Sequence, residues 1–197
     1  MIAGCYVNFA ICESYDDDIF TVISQLVLTS MSCQDYTQLK SYEKVHRKVS
    51  MVNLHFFNNH LELLFLKFDA DLIKQIIGLL LNGIGESIFD IQADCTNSLN
   101  CFNEFVFEKL KGKRTMKNQD LIEKISQFYT THGAIFQDIL KTSLYTVLFE
   151  ESRNIWIFQK LLHSSIIIVN QQGVLSDLII DLLNKHEKSE QRKEAMF

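Results

Sequence analysis

Proline is absent from all 197 residues, and glycine occurs only seven times. Proline is the residue that most sharply breaks a helix interior, so its absence is consistent with a nearly all-helical chain, although helical proteins commonly carry it in first turns. No stretch of about 20 residues is apolar without interruption, because His163, Ser164, Ser165, Asn170 and Gln171 break the most apolar region; a membrane span is not expected. Met1–Ala10 lacks a basic n-region, and Glu13 and Asp16–Asp18 follow closely, so a signal peptide is not expected either. Positive charge is also scarce. With 19 basic against 24 acidic residues, net −5, the chain lacks the broad positive field that a phosphate backbone requires, and nucleic acid is not expected as a main partner. The five cysteines show no CxxC spacing and mostly sit among apolar neighbours. They read as reduced, buried thiols of the cytosol or nucleus.

What is present is apolar periodicity. The chain is 47% hydrophobic and 22% charged, enough to bury a sizeable core. Ile19, Phe20, Ile23, Leu26, Val27 and Met31 recur at three- and four-residue steps behind acidic Asp16–Asp18, which suit a helix N-terminus. Further helices are expected from Tyr42 to Phe57, broken at Asn58-Asn59, and from Leu61 to Phe68. The next runs from Asp69 to Asn82-Gly83-Ile84-Gly85, where glycine supplies a left-handed terminus. The longest helix is expected over Glu86–Lys111. Gly112–Asn118 reads as a polar, basic loop, followed by a short helix at Leu121–Tyr129 and another from Ile135 to Leu148. After Arg153 a helix continues to about Val169, Gln171-Gln172-Gly173 turns the chain, and Val174–Leu183 supplies a last apolar face. Beyond Lys185 the chain reads as a charged connection.

Helix pairs beginning near Tyr42 and Glu86 lie about 44 residues apart, close to the period of HEAT or armadillo-type arrays. The helix at Leu121–Tyr129 reads as an insertion that delays the next pair. Each pair buries a face it cannot bury alone, so an all-α solenoid of HEAT-like antiparallel helix pairs, spanning residues 1–197 as one segment, is the expected architecture. A compact helical bundle is the competing one.

The stretch Phe149–Trp156 places two carboxylates, Arg153 and the only tryptophan between two apolar runs. No nucleophile and base accompany them, so an inter-helix corner fits better than catalysis. In that corner Ser152 caps a helix, Arg153 pairs with Glu150 or Glu151, and Trp156 begins the next buried face. His46, His55, His60 and Cys33 have no recognised metal-ligand spacing and read as partly exposed side chains. Asp16–Asp18 lack the EF-hand pattern, and Gly83-Ile84-Gly85 is an incomplete phosphate fingerprint without a preceding strand. No cofactor is expected. Lys109, Lys111, Lys113, Arg114 and Lys117 form a basic patch, a solvated loop or a contact for an acidic partner.

Two islands carry a family resemblance. Tyr6-Val7-Asn8-Phe9 followed by Tyr15, Asp17 and Asp18, and then Phe149, Glu150, Arg153, Asn154 and Trp156, resemble motifs of the exportin-7 and Ran-binding-protein-17 group of nuclear transport receptors. They fall in the same order as in that group, toward the receptor's C-terminal part. Prolines expected near Asp69 and Leu161 are missing, and the lysine-rich Gly112–Asn118 departs from the pattern.

The resemblance implies a non-enzymatic segment of a longer solenoid receptor. Such a receptor shuttles between nucleus and cytoplasm, exports protein cargo with Ran-GTP, and meets nuclear pore proteins. The principal Ran contacts are implied to lie in a part of the receptor absent here. A small stand-alone helical scaffold or adaptor without transport activity is the alternative.

Overall fold

A computed structural model describes residues 19–32, 35–112, 119–149 and 155–194. Every regular element among them is a helix. In chain order these are α1 (Ile19–Ser32), α2 (Tyr36–Ser41), α3 (Glu43–Asn59), α4 (Leu61–Lys67), α5 (Ala70–Ile84) and α6 (Phe89–Lys111). There follow α7 (Gln119–His132), α8 (Ala134–Phe149), a 3-10 turn (Ile155–Ile157), α9 (Phe158–Gln171) and α10 (Leu175–Glu194).

The helices alternate between two layers. In one, α1 packs on α5, α5 on α8, and α8 on α10; in the other, α3 packs on α6 and α6 on α9. Contacts of α5 with α6, α8 with α9, and α9 with α10 join the layers. This is an all-α solenoid of antiparallel helix pairs. Stacking is required because a single pair leaves its apolar side open to water.

The helix at 121–129, expected to be an insertion, has a regular place. Like α4, α7 follows a helix of the second layer and precedes one of the first, and α4 and α7 pack directly on each other. The Phe65 and Phe128 rings meet edge to face at 5.5 Å across that contact. What looked like a disturbed period is therefore a connector present in two successive units.

The core follows from the 3.6-residue period. Buried Ile73, Ile76, Ile77 and Leu80 line one face of α5, and Ile91, Cys95, Leu99, Phe102 and Val106 line one face of α6. Phe102, fully buried, stacks on Phe136 of α8 at 5.5 Å and also contacts Phe57, Phe65 and Phe128. Edge-to-face and offset rings contribute beyond their buried area, so this cluster ties four helices to α6.

Several expected boundaries move. The break near Asn58-Asn59 falls at His60, whose N–H donates to Phe56 O at 2.8 Å. Gly85 has φ −80°, not a left-handed value. The glycine that matters there is Gly83, where a Cβ would come within 2.3 Å of Cys95 Sγ, so a side chain there would have to displace the Cys95 thiol. Left-handed backbone occurs instead at Gly173, φ 73°, in the turn after α9. The stretch beyond Lys185, expected as a connection, stays helical to Glu194.

Candidate functional site

Of the residues singled out in the two islands, Phe149 and Trp156 lie within the described structure. Tyr6, Asn8, Phe9, Tyr15, Asp17, Asp18, Glu150, Arg153 and Asn154 lie outside it, as do Ser152, Asp16 and Cys33.

Phe149, at the end of α8, stacks on the His186 imidazole of α10 with ring centroids 3.7 Å apart, and Tyr145 lies 5.4 Å away one turn earlier. It thus fastens the last two helices of the first layer. Trp156 does not begin a buried face: it is 68% exposed, while the next two residues, Ile157 and Phe158, turn inward. The 3-10 turn rotates successive side chains by about 120°, so only part of the run Ile155–Phe158 can face the core. The indole lies 6.0 Å from the half-exposed Phe89 ring at the start of α6. The two ends of the island therefore meet different neighbours, one on α10 and the other on α6.

In the basic patch, Lys111 Nζ lies over the Phe107 ring at 4.1 Å from its centroid. Lys109 pairs with Glu62 of α4. Such placement of an ammonium over a ring face is favourable and leaves one side of the lysine in water. Lys113, Arg114 and Lys117 lie outside the described residues.

The most concentrated polar chemistry was read simply as a helix start. Glu86 lies in the turn between α5 and α6, only 5% exposed. Its Oε1 accepts from Tyr36 Oη at 2.8 Å and pairs with Lys40 Nζ at 3.0 Å. Tyr36 and Lys40, one turn apart on α2, together hold a carboxylate that would be costly to bury alone. Burial, with the Glu86 contact second, pushes the Tyr36 phenol well above its usual range. His46 of α3 meets the Tyr36 ring edge to face at 5.3 Å. It is buried, unlike the half-buried His55 and His60, and that burial lowers its pKa from 6.5 against the opposing pull of Glu86. The one readable signal was the i, i+4 spacing of Tyr36 and Lys40; their partner is 46 or more residues away and has no local signature.

Neither this cluster nor the histidines gather a metal-ligand set: among the described residues no group of three His, Cys, Asp or Glu side chains could hold an ion. Cys95 is buried, and burial pushes its thiol far up; Cys101 is half-buried rather than buried, and its thiol is also raised by burial. Thiols so raised are poor nucleophiles at neutral pH.

Open grooves occur among the described residues. One of about 620 Å³ runs between α7 and the α4–α5 junction, with Phe65, Leu72 and Phe128 as its floor and Asp69, Asp71 and Gln127 at its rim. A second, of about 380 Å³, lies between α1 and α3 beside exposed Leu26 and Val45. Another, of about 310 Å³, lies between α8 and α10, lined by exposed Tyr145 with Leu182 and His186. Such shapes suit protein contact rather than enclosure of a small substrate.

Ran-binding protein 17 of Mus musculus is 19% identical over 188 residues, covering 93% of this chain. Exportin-7-B of Xenopus laevis is 23% identical over 198 positions, covering 97%. Ran-binding protein 17 of Homo sapiens is 18% identical over 93% of the chain. The chain is a distant relative of the exportin-7 and Ran-binding protein 17 group. It spans less than a fifth of the length of these relatives, 17% to 18%. No protein-family model and no solved structure matches it. The exportin-7 likeness extends through α1–α10, so it covers both layers and both connectors.

Proposed function

We propose that this chain is a repeat segment of an exportin-like nuclear transport receptor that takes part in Ran-GTP-dependent export of protein cargo. The observation that carries the reading is the likeness to Exportin-7 and Ran-binding protein 17 along 93% to 97% of the chain. It is supported by a solenoid of stacked helix pairs with open grooves on its surface.

In this reading the segment belongs to a longer receptor, with Ran-GTP held mainly by repeats outside it. The length of the relatives supports that. The share of this segment is contact with cargo and pore proteins, Lys111, Lys113, Arg114 and Lys117 offering charge to an acidic partner, while Tyr6, Asn8, Phe9, Tyr15, Asp17, Asp18, Glu150, Arg153 and Asn154 keep the repeat frame. Its mechanism is linkage: two ligands that favour one curvature of the array raise each other's affinity reciprocally, and no chemical step is required. The receptor shuttles between nucleus and cytoplasm.

The test is the size of the native polypeptide, followed by capture. An antibody against this segment should detect a polypeptide several times larger than 22.9 kDa, and that polypeptide should retain protein cargo only with GTP-loaded Ran. A single band at 22.9 kDa, or cargo retention indifferent to the Ran nucleotide, overturns the reading and leaves a small helical adaptor.

A further inference from the structure

Several ion pairs of this molecule hold charge that water already solvates. Arg47 with Glu43 and Asp90, Lys109 with Glu62, and Lys185 with Asp181 all use exposed carboxylates, and such pairs contribute little. Lys40 with Glu86 is different. The lysine side chain is 60% exposed, but the carboxylate it meets at 3.0 Å is only 5% exposed. A group that reagents in solution can reach therefore neutralises a charge that water cannot solvate. Removing one partner of such a pair leaves the other buried and uncompensated, which costs far more than the pair itself contributes.

The short helix α2 depends on that carboxylate. Six residues are too few to make a stable helix alone, so α2 exists through its attachments. It packs on α3 and buries Leu39, and at the α5–α6 turn it is held by two donors to Glu86 Oε1, Tyr36 Oη at 2.8 Å and Lys40 Nζ at 3.0 Å. With the lysine neutral, a single phenol hydroxyl would face a buried anion. A carboxylate resists protonation near pH 7, so the relief left to it is to turn out to water. In turning out it gives up Tyr36 as well, and both side-chain ties of α2 to that turn are lost together.

We propose that Lys40 is an acylation site, and that acylating it unlatches α2 from the α5–α6 turn. The co-reactant is an acyl thioester. The Lys40 ammonium first loses a proton to solvent, and the free amine attacks the acyl carbonyl carbon; the C–N amide bond forms, the C–S bond breaks, and the second proton lost by nitrogen ends on the departing thiol. The product amide carries no charge to offer Glu86. Release of α2 uncovers Leu39 and the Glu86 turn, both closed to water while the latch holds. The latch is a property of this chain and stands whether or not the transport reading holds.

The test uses the full 197-residue chain with Nε-acetyllysine encoded at position 40, and reads hydrogen exchange in α2. The amides of Leu39 and Tyr42, bonded to Asp35 O and Leu39 O, should exchange about tenfold faster or more, while those of α5 and α6 stay protected. Acetyllysine at exposed Lys44 should change nothing, and Lys40→Arg, which keeps the charge, should exchange like the unaltered chain. Glu86→Gln removes the buried charge and still accepts from Tyr36, so acetylation at Lys40 should add no further exchange in that variant. Treating the folded chain with an acetyl thioester should place acetyl on Lys40, read by mass spectrometry. Exchange at Leu39 and Tyr42 that acetylation leaves unchanged overturns the proposal. So does an equal rise in Glu86→Gln, because the effect then bypasses the carboxylate, and labelling of Lys44 without Lys40 overturns the site.

Discussion

Phe102→Ala should be the most damaging single truncation in this core. The Phe102 ring has no exposed surface and contacts Phe57 at 6.1 Å, Phe65 at 6.2 Å, Phe128 at 5.9 Å and Phe136 at 5.5 Å. Those four rings belong to α3, α4, α7 and α8, so no single helix can shift to refill the space. Buried Phe→Ala changes cost about 3–5 kcal/mol, more where the site cannot collapse, and each ring pair adds about 0.5–1.5 kcal/mol that is not independent of the rest. The upper half of that range, about 4–5 kcal/mol, is expected here. It is a large part of a total that is typically about 5–15 kcal/mol. At about 2–4 °C per kcal/mol for a chain of this size, Tm should fall by roughly 8–20 °C. Urea titration followed by circular dichroism measures this as a lower midpoint at nearly constant slope. Phe102→Leu, which keeps most of the volume, should cost under about 1.5 kcal/mol. A loss below about 2 kcal/mol for the alanine variant, or equal losses for both variants, would refute the four-helix hub.

Gly83→Ala should destabilise by about 1–3 kcal/mol, since its Cβ would lie 2.3 Å from Cys95 Sγ. Adding Cys95→Ala should recover most of that loss, and thermal melts of the double variant check it. Burial of His46 predicts a pH dependence: its folded-state pKa lies below 6.5, so its neutral form is favoured in the fold. The unfolded chain then binds the extra proton first, and the contribution is complete above about pH 6.5 and lost as pH falls from there toward the folded-state value. His46→Gln should flatten the urea midpoint between pH 8 and pH 5.5; an unchanged slope would rule His46 out. Trp156→Ala should change stability by no more than about 0.5 kcal/mol, because the indole is 68% exposed. The native emission maximum should accordingly be that of a water-exposed indole, and a blue-shifted maximum would contradict the placement.

Among the described residues most helices were legible, because burial on one side of a helix imposes a 3.6-residue repeat on the sequence itself; α2, Tyr36–Ser41, was not expected, since six residues are too few to show that repeat. The stretches around α5, α6 and α8 were placed within a few residues for that reason, whereas α10 runs well past the last apolar face, to Glu194. Boundaries were less legible. Glu86 resembles a helix-opening carboxylate, but its partners Tyr36 and Lys40 come from another helix, and they, not the local dipole, keep it in the turn. Trp156 was assigned inward from its hydrophobicity, which says nothing about the pitch of a 3-10 turn. His46 looked like its half-buried neighbours until α2 and the Glu86 turn were folded over it.

Composition and period by themselves pointed to an all-α chain and left stacked helix pairs and a compact bundle as alternatives, because these signals record local geometry and not which faces meet. Only the tertiary structure decided which helices share a layer, that α7 is a second connector rather than an interruption, and that buried Asn103 of α6 meets Ser164 and Ser165 of α9. Those outcomes depend on contacts between residues 35 to 65 positions apart. Such contacts are set by which faces meet after stacking, and no short stretch of sequence carries a record of them.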